Sequence, residues 1–356
     1  MKHLHPFNFN KSRRFFAATA ALAASSSSAF GLISTQSLSV SADGQFTYSS
    51  GLIHYWTGSQ GYSTYDVATG VTNTIGKPDG ALTNGFGDPF GIYDSASGMF
   101  YGATYLDGGN SYIYSYNTST STWSDGVQMT NAYGGATYNN TLYVSGLGEP
   151  WNGGYGQSTF IFGFSEDGLH DALIETGGNS SYMAIAPNGD IYYARFDYAI
   201  ASNNILYRWD AADVANVFND LAGGAEDTFL TLANAEVILQ LPGTSNGVAV
   251  DDAGNVFFTT NGSSSILGMV DDSSPDGYQT IVSSADDGIY GWYGPISIEG
   301  DFTEGDPLYF SPYGSIIEVT MQVPEPAHYA LVGGLSVFGL VYCRKRKKSS
   351  ASATSM

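Results

Sequence analysis

Outside its two ends, this 356-residue chain has almost no positive charge. Of its 12 Lys and Arg residues, Lys2, Lys11, Arg13 and Arg14 lie at the start and five fill 344–348, so only Lys77, Arg195 and Arg208 serve everything between. All 33 acids but Glu325 fall within 31–323. Phosphate backbones bind clustered cations, so nucleic acid is excluded as a partner, while cations, neutral polymers and basic proteins remain. Cysteine is nearly absent too: the single one, Cys343, is in the tail. The body can therefore form no internal disulfide, and strand pairing and core burial must hold it together; export is not excluded by this. Histidine in the body is limited to His54 and His170. No His-Glu-x-x-His helix or phosphate-binding loop is present.

Glycine and tyrosine are plentiful instead, at 45 and 26 residues, with 43% hydrophobic content. That composition indicates many turns between aromatic strands over a real core. At the N-terminus, Lys11, Arg13 and Arg14 precede an apolar run (15–24) and a small-residue run (25–29). This is the order of a secretory signal peptide, 1–29, cut after Ala29. Ser12-Arg13-Arg14-Phe15-Phe16 also resembles a twin-arginine export signal, with Ala17 and Ala18 in place of the leucine and lysine expected next. At the C-terminus, Val323-Pro324-Glu325-Pro326 leads into an uncharged apolar stretch, 327–343, and then Arg344, Lys345, Arg346, Lys347 and Lys348. The stretch is just long enough for a transmembrane helix, with the basic cluster holding its end in the cytoplasm. This order over 323–348 resembles the PEP-CTERM sorting signal of Gram-negative bacteria that make extracellular polysaccharide. The resemblance implies an exosortase-type membrane enzyme as processing partner, reading Pro324, Glu325 and Pro326. It also implies transient anchorage in the inner membrane before delivery to the outer surface or extracellular matrix, and leaves 349–356 as a disordered cytoplasmic tail. A plain C-terminal anchor gives the same topology.

Between the ends, over 30–322, one hairpin unit recurs six times. Its clearest copy is 245–261, SNGVAVDDAGNVFFTTN: a strand at 248–250, a turn at 251–254 and a strand at 255–260. The others are 38–48 (turn Asp43-Gly44), 90–105 (Ser97-Gly98), 133–146 (Asn139-Asn140), 182–195 (Asn188-Gly189) and 296–310, whose turn is lengthened over 300–307. Further strands at 63–66 and 71–75, 112–116 and 122–123, 205–209, and 265–270 suit the outer half of a four-stranded sheet. A spacing of about 40–65 residues and four strands per repeat indicate propeller blades. One such sheet cannot bury both apolar faces alone, but a ring of them can. The expected fold is an all-β, six-bladed β-propeller, with seven blades as the alternative. The last repeat gains a third strand at 315–320 and nothing after it, so 32–37 is expected to supply its fourth and cover two open edges. A small helical insertion is expected at 211–222, from an Asp210 N-cap, a Val214, Val217, Phe218, Leu221 stripe and a Gly223-Gly224 stop, packed outside the fourth repeat. A second helix is expected at 227–234.

Two family resemblances cover parts of the body. Tyr116 to Trp123 (YNTSTSTW), followed by Gly134 to Gly146 (GGATYNNTLYVSG), resembles a kelch repeat, its paired glycine reduced to Gly146. The unit at 245–261 resembles NHL and gluconolactonase-like propellers. The latter likeness implies a metal-binding role for Asn246 and lactonase-like hydrolysis with a divalent metal. Where those enzymes place an aspartate after the second strand, this chain has Thr259-Thr260-Asn261, which would hold a hard cation weakly.

No catalytic residue is assigned. His54, in the strand-like Ile53-His54-Tyr55-Trp56, reads as a hydrogen-bonded histidine at a strand end, since catalysis would need a positioned partner. His170 reads as solvated in the turn 167–171. No cofactor is called for; calcium is the cation that the short acidic loops with Asp251, Asp252, Asp271 and Asp272 would take, though such turns need no metal. Two loops set aromatic rings beside glycine, Trp151 with Tyr155, and Tyr290 with Trp292 and Tyr293. They read either as platforms for sugar rings or peptides, or as rings packed between blades. The expected role is a non-catalytic binding or matrix protein associated with extracellular polysaccharide or a surface protein. A secreted metal-dependent hydrolase is the alternative, and a self-associating coat component the third reading.

Overall fold

A computed structural model describes residues 32–42, 44–81, 89–105, 110–147, 159–164, 170–178, 181–195, 197, 200–222, 229–262, 264–312 and 314–322. Residues 34–302 and 306–320 form one compact unit of six antiparallel sheets. The chain starts with β1 (Leu32–Ser41). Blade 1 is β2 (Thr47–Ser49), β3 (Leu52–Thr57), β4 (Gly61–Asp66) and β5 (Thr72–Gly76). Blade 2 is β6 (Gly91–Asp94), β7 (Met99–Tyr105), β8 (Asn110–Asn117) and an interrupted outer strand, β9 (Thr122–Trp123) with β10 (Val127–Thr130). Blade 3 is β11 (Gly134–Tyr138), β12 (Thr141–Leu147), β13 (Thr159–Phe164) and β14 (His170–Glu175). Blade 4 is β15 (Met183–Ile185), β16 (Ile191–Arg195), β17 (Ile205–Trp209) and β18 (Glu236–Gln240), with helix α1 (Ala211–Ala222) between the last two. Blade 5 is β19 (Thr244–Val250), β20 (Val256–Asn261), β21 (Ile266–Val270) and β22 (Tyr278–Ser283). Blade 6 is β23 (Tyr293–Ile298), β24 (Leu308–Pro312), β25 (Ser315–Gln322) and β1 itself.

Six blades closed by the N-terminal strand is the expected propeller, and the closure is longer than expected. β1 neighbours β25 in one sheet, with contacts from Ser34, whose Oγ is 2.6 Å from Thr320 Oγ1, to Ala42, whose N donates to Gly314 O. The unit read as a first hairpin at 38–48 is therefore not one. Its two halves belong to different blades, and the first hairpin is β2–β3, turning at Ser50 and Gly51 with both at positive φ. An Asp-Gly pair between two alternating stretches marks a change of direction, but the strands paired on either side decide whether it joins a hairpin or crosses between sheets. The other five hairpins stand as expected, and the Asn139-Asn140 turn has both residues left-handed, as a two-residue hairpin turn requires.

Helix α1 has the expected bounds, but it bridges two blades. Val214 and Val217 are buried with Trp209 of blade 4 and with Ile161, Leu173 and Ile174 of blade 3. The Asp210 carboxylate faces Arg208, and Asp190 Oδ1 accepts from Ala211 N at 2.9 Å, so a turn of blade 4 caps the helix. Of the second helix, the described residues form only a 3₁₀ turn, Leu232–Asn234, capped by Thr231.

Hydroxyl and amide side chains tie neighbouring blades where their backbones meet. Tyr48 N donates to Ser297 Oγ at 2.7 Å (blades 6 and 1), Tyr93 N to Thr47 Oγ1 at 3.1 Å (1 and 2), and Thr259 Oγ1 to Gly294 O at 2.8 Å (5 and 6). Gln45 is buried, and its amide both donates to and accepts from the Gly135 backbone of blade 3, at 2.8 and 2.9 Å. The two bonds to Gly135 are buried, and the other three are partly buried side-chain-to-backbone links between adjacent blades.

Candidate binding surface

Antiparallel blades sort their links between two faces. Turns between first and second strands, and between third and fourth, open on one, here called the hairpin face. Links between second and third strands, and those from blade to blade, open on the other, the connection face. Tyr290 and Trp292 lie on the link from β22 to β23, hence on the connection face, and are 80% and 55% exposed, respectively. Tyr133, 40% exposed on the link from β10 to β11, shares that face. It was not singled out from sequence, although an aromatic residue just ahead of Gly134-Gly135, the glycines that open β11, is the same ring-beside-glycine signal.

Tyr293 is corrected from an open ring to a core residue. It is fully buried in β23, its ring lies 4.9 Å from that of Phe310, and its hydroxyl donates to Ile289 O at 2.8 Å. Burial, with Asp287 adding, pushes its phenol up to about 12. A strand that begins one residue after an exposed Trp points its first side chain into the blade. Trp151 and Tyr155 lie outside the described residues, on the link from β12 to β13. The sorting-signal residues Pro324, Glu325, Pro326, Arg344, Lys345 and Arg346, with the stretch 327–343, lie outside them as well. Among the described residues, no helix is long and apolar enough to cross a membrane.

The place compared with a lactonase metal site is occupied by a structural clamp. Asn261 is buried, accepts from Tyr293 N at 2.7 Å and from Ser265 Oγ at 3.2 Å, and donates to Tyr293 O at 3.3 Å. Its amide is spent on joining blade 5 to blade 6, and Asn246 is half-buried at a β-bulge between Ser245 and Gly247. Residues 243–247, Gly-Thr-Ser-Asn-Gly, also have the spacing of a nucleophile elbow. Here Ser245 is fully buried on a strand followed by a hairpin, not a helix, and donates to Gly247 O at 3.3 Å.

The acidic turns are internally satisfied where they are best defined. Asp251 is buried, its two oxygens accepting from Asn255 N (2.7 Å), Asn255 Nδ2 (2.8 Å) and Phe302 N (3.3 Å). Burial raises its pKa against these bonds. Asp271 accepts from Ser273 N and Oγ at 2.9 and 2.6 Å, which lowers its own. Asp252 and Asp272 are exposed. Among the described residues, no three His, Cys, Asp or Glu side chains converge as a metal site.

His54 lies in the middle of β3 and is buried, its Nδ1 2.7 Å from the Tyr62 hydroxyl and its ring stacked on Tyr93 at 3.9 Å. Burial lowers its pKa to about 4, so it is neutral at ordinary pH. Its contacts are those of a core residue. His170 opens β14 and is not part of a turn.

No protein-family model matches the sequence, nor does any curated protein. The fold resembles solved structures at low identity. A proposed gluconolactonase aligns with a TM-score of 0.52 at 12% identity, over 82% of this chain and 93% of that one. A protein of unknown function from Bacteroides thetaiotaomicron also gives 0.52 at 12%, over 82% and 76%. At such identities the likeness shows the propeller fold alone.

Proposed function

We propose that this protein is an exported, non-catalytic propeller displayed at the cell surface, binding extracellular polysaccharide through the rings on its connection face. One observation carries the reading: the accessible aromatics and the two ends of the body are on opposite faces. Ser34 and Thr320, side by side at 2.6 Å, leave the body at the hairpin face, because β25 runs there from the connection face and β1 runs back. Tyr290 and Trp292 face the other way. A tether at the body's ends would turn those rings outward, and flat rings next to glycine are a surface on which sugars stack. The tail supports the tether through its resemblance to a PEP-CTERM signal, which gives an exosortase-type enzyme as the processing partner. Export, the inner-membrane stage and delivery to the surface belong to the same proposal.

The test is a pull-down with the producer's own exopolysaccharide. The Tyr290→Ala/Trp292→Ala double variant should lose binding and keep its melting temperature, since neither ring contributes to the core. Undiminished binding overturns the reading. Mass spectrometry of the native C-terminus checks the tail: cleavage near Pro324–Pro326 is expected, and an intact chain in the cytosol would sink it. Lactone turnover abolished by a chelator would replace it with the metal-dependent hydrolase.

A further inference from the structure

Blade 2 and blade 3 do not close on each other along their whole length. A cleft of about 690 Å³ remains between them at the hairpin face, in the range of about 300–1,000 Å³ typical of small-molecule sites. Its floor is apolar, from Met99, Tyr101, Leu142 and Phe164, the last two buried in the core shared by the two blades. Among the described residues its rim is polar, with Ser115, Ser124, Asn117 and Asn140, and its one charged group is the carboxylate of Asp125.

The rim is a construction of the sheet. The outer strand of blade 2 pairs as Trp123 with Tyr116 and as Val127 with Ile113, so three residues, 124–126, stand opposite two, 114 and 115. This is a β-bulge, a device that redirects side chains and recurs beside binding sites. The bulge is pinned by Ser124 N donating to Ser115 O at 2.9 Å and by the two serine hydroxyls, 2.6 Å apart. A Cβ at Gly126 would lie 2.5 Å from the Tyr114 ring, so the chain crosses that ring only as glycine. Asn117 spends its carbonyl oxygen on the amides of Ser119 and Thr120, which leaves its NH₂ as the group to offer. Asp125 and Asn140 are exposed at the opening.

We infer that this cleft is a second binding site, for one or two units of a neutral saccharide. An anion would meet Asp125 and no compensating charge. A wholly apolar ligand would cover the Asn117 NH₂ and the Asp125 carboxylate without offering either a partner. A ring with one apolar face and a girdle of hydroxyls suits both floor and rim. The site shares the ligand class proposed for the connection face but none of its residues, and it lies on the opposite face.

The test is saturation-transfer NMR with methyl glucoside, methyl galactoside, N-acetylglucosamine and cellobiose, each at millimolar concentration with the mature body. At least one should show saturation transfer to its ring protons. Asp125→Trp, which fills the cleft from an exposed position, should abolish it. Asp125→Ala should weaken it by about tenfold, the loss of one charge-assisted hydrogen bond. The Tyr290→Ala/Trp292→Ala variant should bind these small sugars unchanged, so the two sites fail separately. Transfer from none of the four, or transfer that survives Asp125→Trp in a folded variant, overturns the inference.

Discussion

The two faces of blade 2 are built from the same strands and do opposite things. Along β8, Tyr112, Tyr114 and Tyr116 turn toward blade 1, while Ile113, Ser115 and Asn117 turn toward blade 3. Along β7, Phe100 and Gly102 face blade 1, and Met99, Tyr101 and Ala103 face blade 3. Toward blade 1 the result is a dry aromatic stack: Trp56, Tyr62, Phe100 and Tyr114 are buried, and Tyr62 lies on Phe100 at 3.8 Å. Toward blade 3 a mixed core, with Phe90 and Phe162 among Ile92, Ile113 and Val144, gives way to the open cleft. A period of two lets a single sheet carry a structural seam on one side and a site on the other. Which side is which depends on whether aromatic or small polar residues fill each alternate row.

The comparison breaks most visibly at Trp56. Trp56→Ala removes the centre of the stack and should cost about 4 kcal/mol in denaturant unfolding. Gly102→Val should prevent folding at 37 °C, since even a Cβ there would sit 2.3 Å from the Trp56 ring. Across the sheet, Leu142→Ala should cost only roughly 2 kcal/mol, because its neighbours already border open space and can relax into it. Equal losses on the two sides would show that the faces are packed alike.

His54 makes the same seam sensitive to acid. With a folded pKa of about 4 against 6.5 in the open chain, the unfolded state binds the extra proton between those values. The stability from this group is therefore complete above pH 6.5 and lost as pH falls toward 4, a change on the order of 3 kcal/mol. Asp251, whose pKa burial raises, acts with the opposite sign, so wild type and His54→Gln should be compared over that window. The variant should show the shallower loss; parallel curves would remove His54 as the cause. Tyr62→Phe, which takes away the hydroxyl 2.7 Å from His54 Nδ1, should cost about 1 kcal/mol at neutral pH.

The seam was partly legible in the sequence and the cleft was not. The strands β7 and β8 follow from alternation, and His54 reads as a strand residue with a hydrogen-bond partner. Nothing local tells which row of β8 meets which neighbouring blade, since that depends on the order of sheets around the ring. The sequence pattern ends the outer strand at Trp123 and does not reach Val127–Thr130, because Ser124, Asp125 and Gly126 look like a loop, whereas they are a bulge between two pairings with one strand. The missing fourth strand of blade 6 points to the closing strand, yet the Asp43-Gly44 pair suits either connection and so draws the second half of that strand into a hairpin with blade 1. Tyr293 shows the same limit at the candidate surface, where aromatic content is readable but exposure is set by where the strand begins.

The smallest expected effect sharpens the comparison furthest. Ser115→Ala removes a hydroxyl that holds the bulge through a half-exposed contact with Ser124. Water can replace that contact, so the melting temperature should barely move, within about 0.5 kcal/mol of wild type. Hydrogen exchange should respond more than stability does, and only locally. The Ser124 amide, which donates to Ser115 O, should exchange faster as the bulge loosens, while the amides of Tyr112, Tyr114 and Tyr116, whose rings pack in the blade 1 seam, keep their protection. A uniform rise across β8 would mean that the two faces of the sheet are energetically one. A rise confined to the bulge would show that the aromatic seam holds the strand in place while the polar row moves independently.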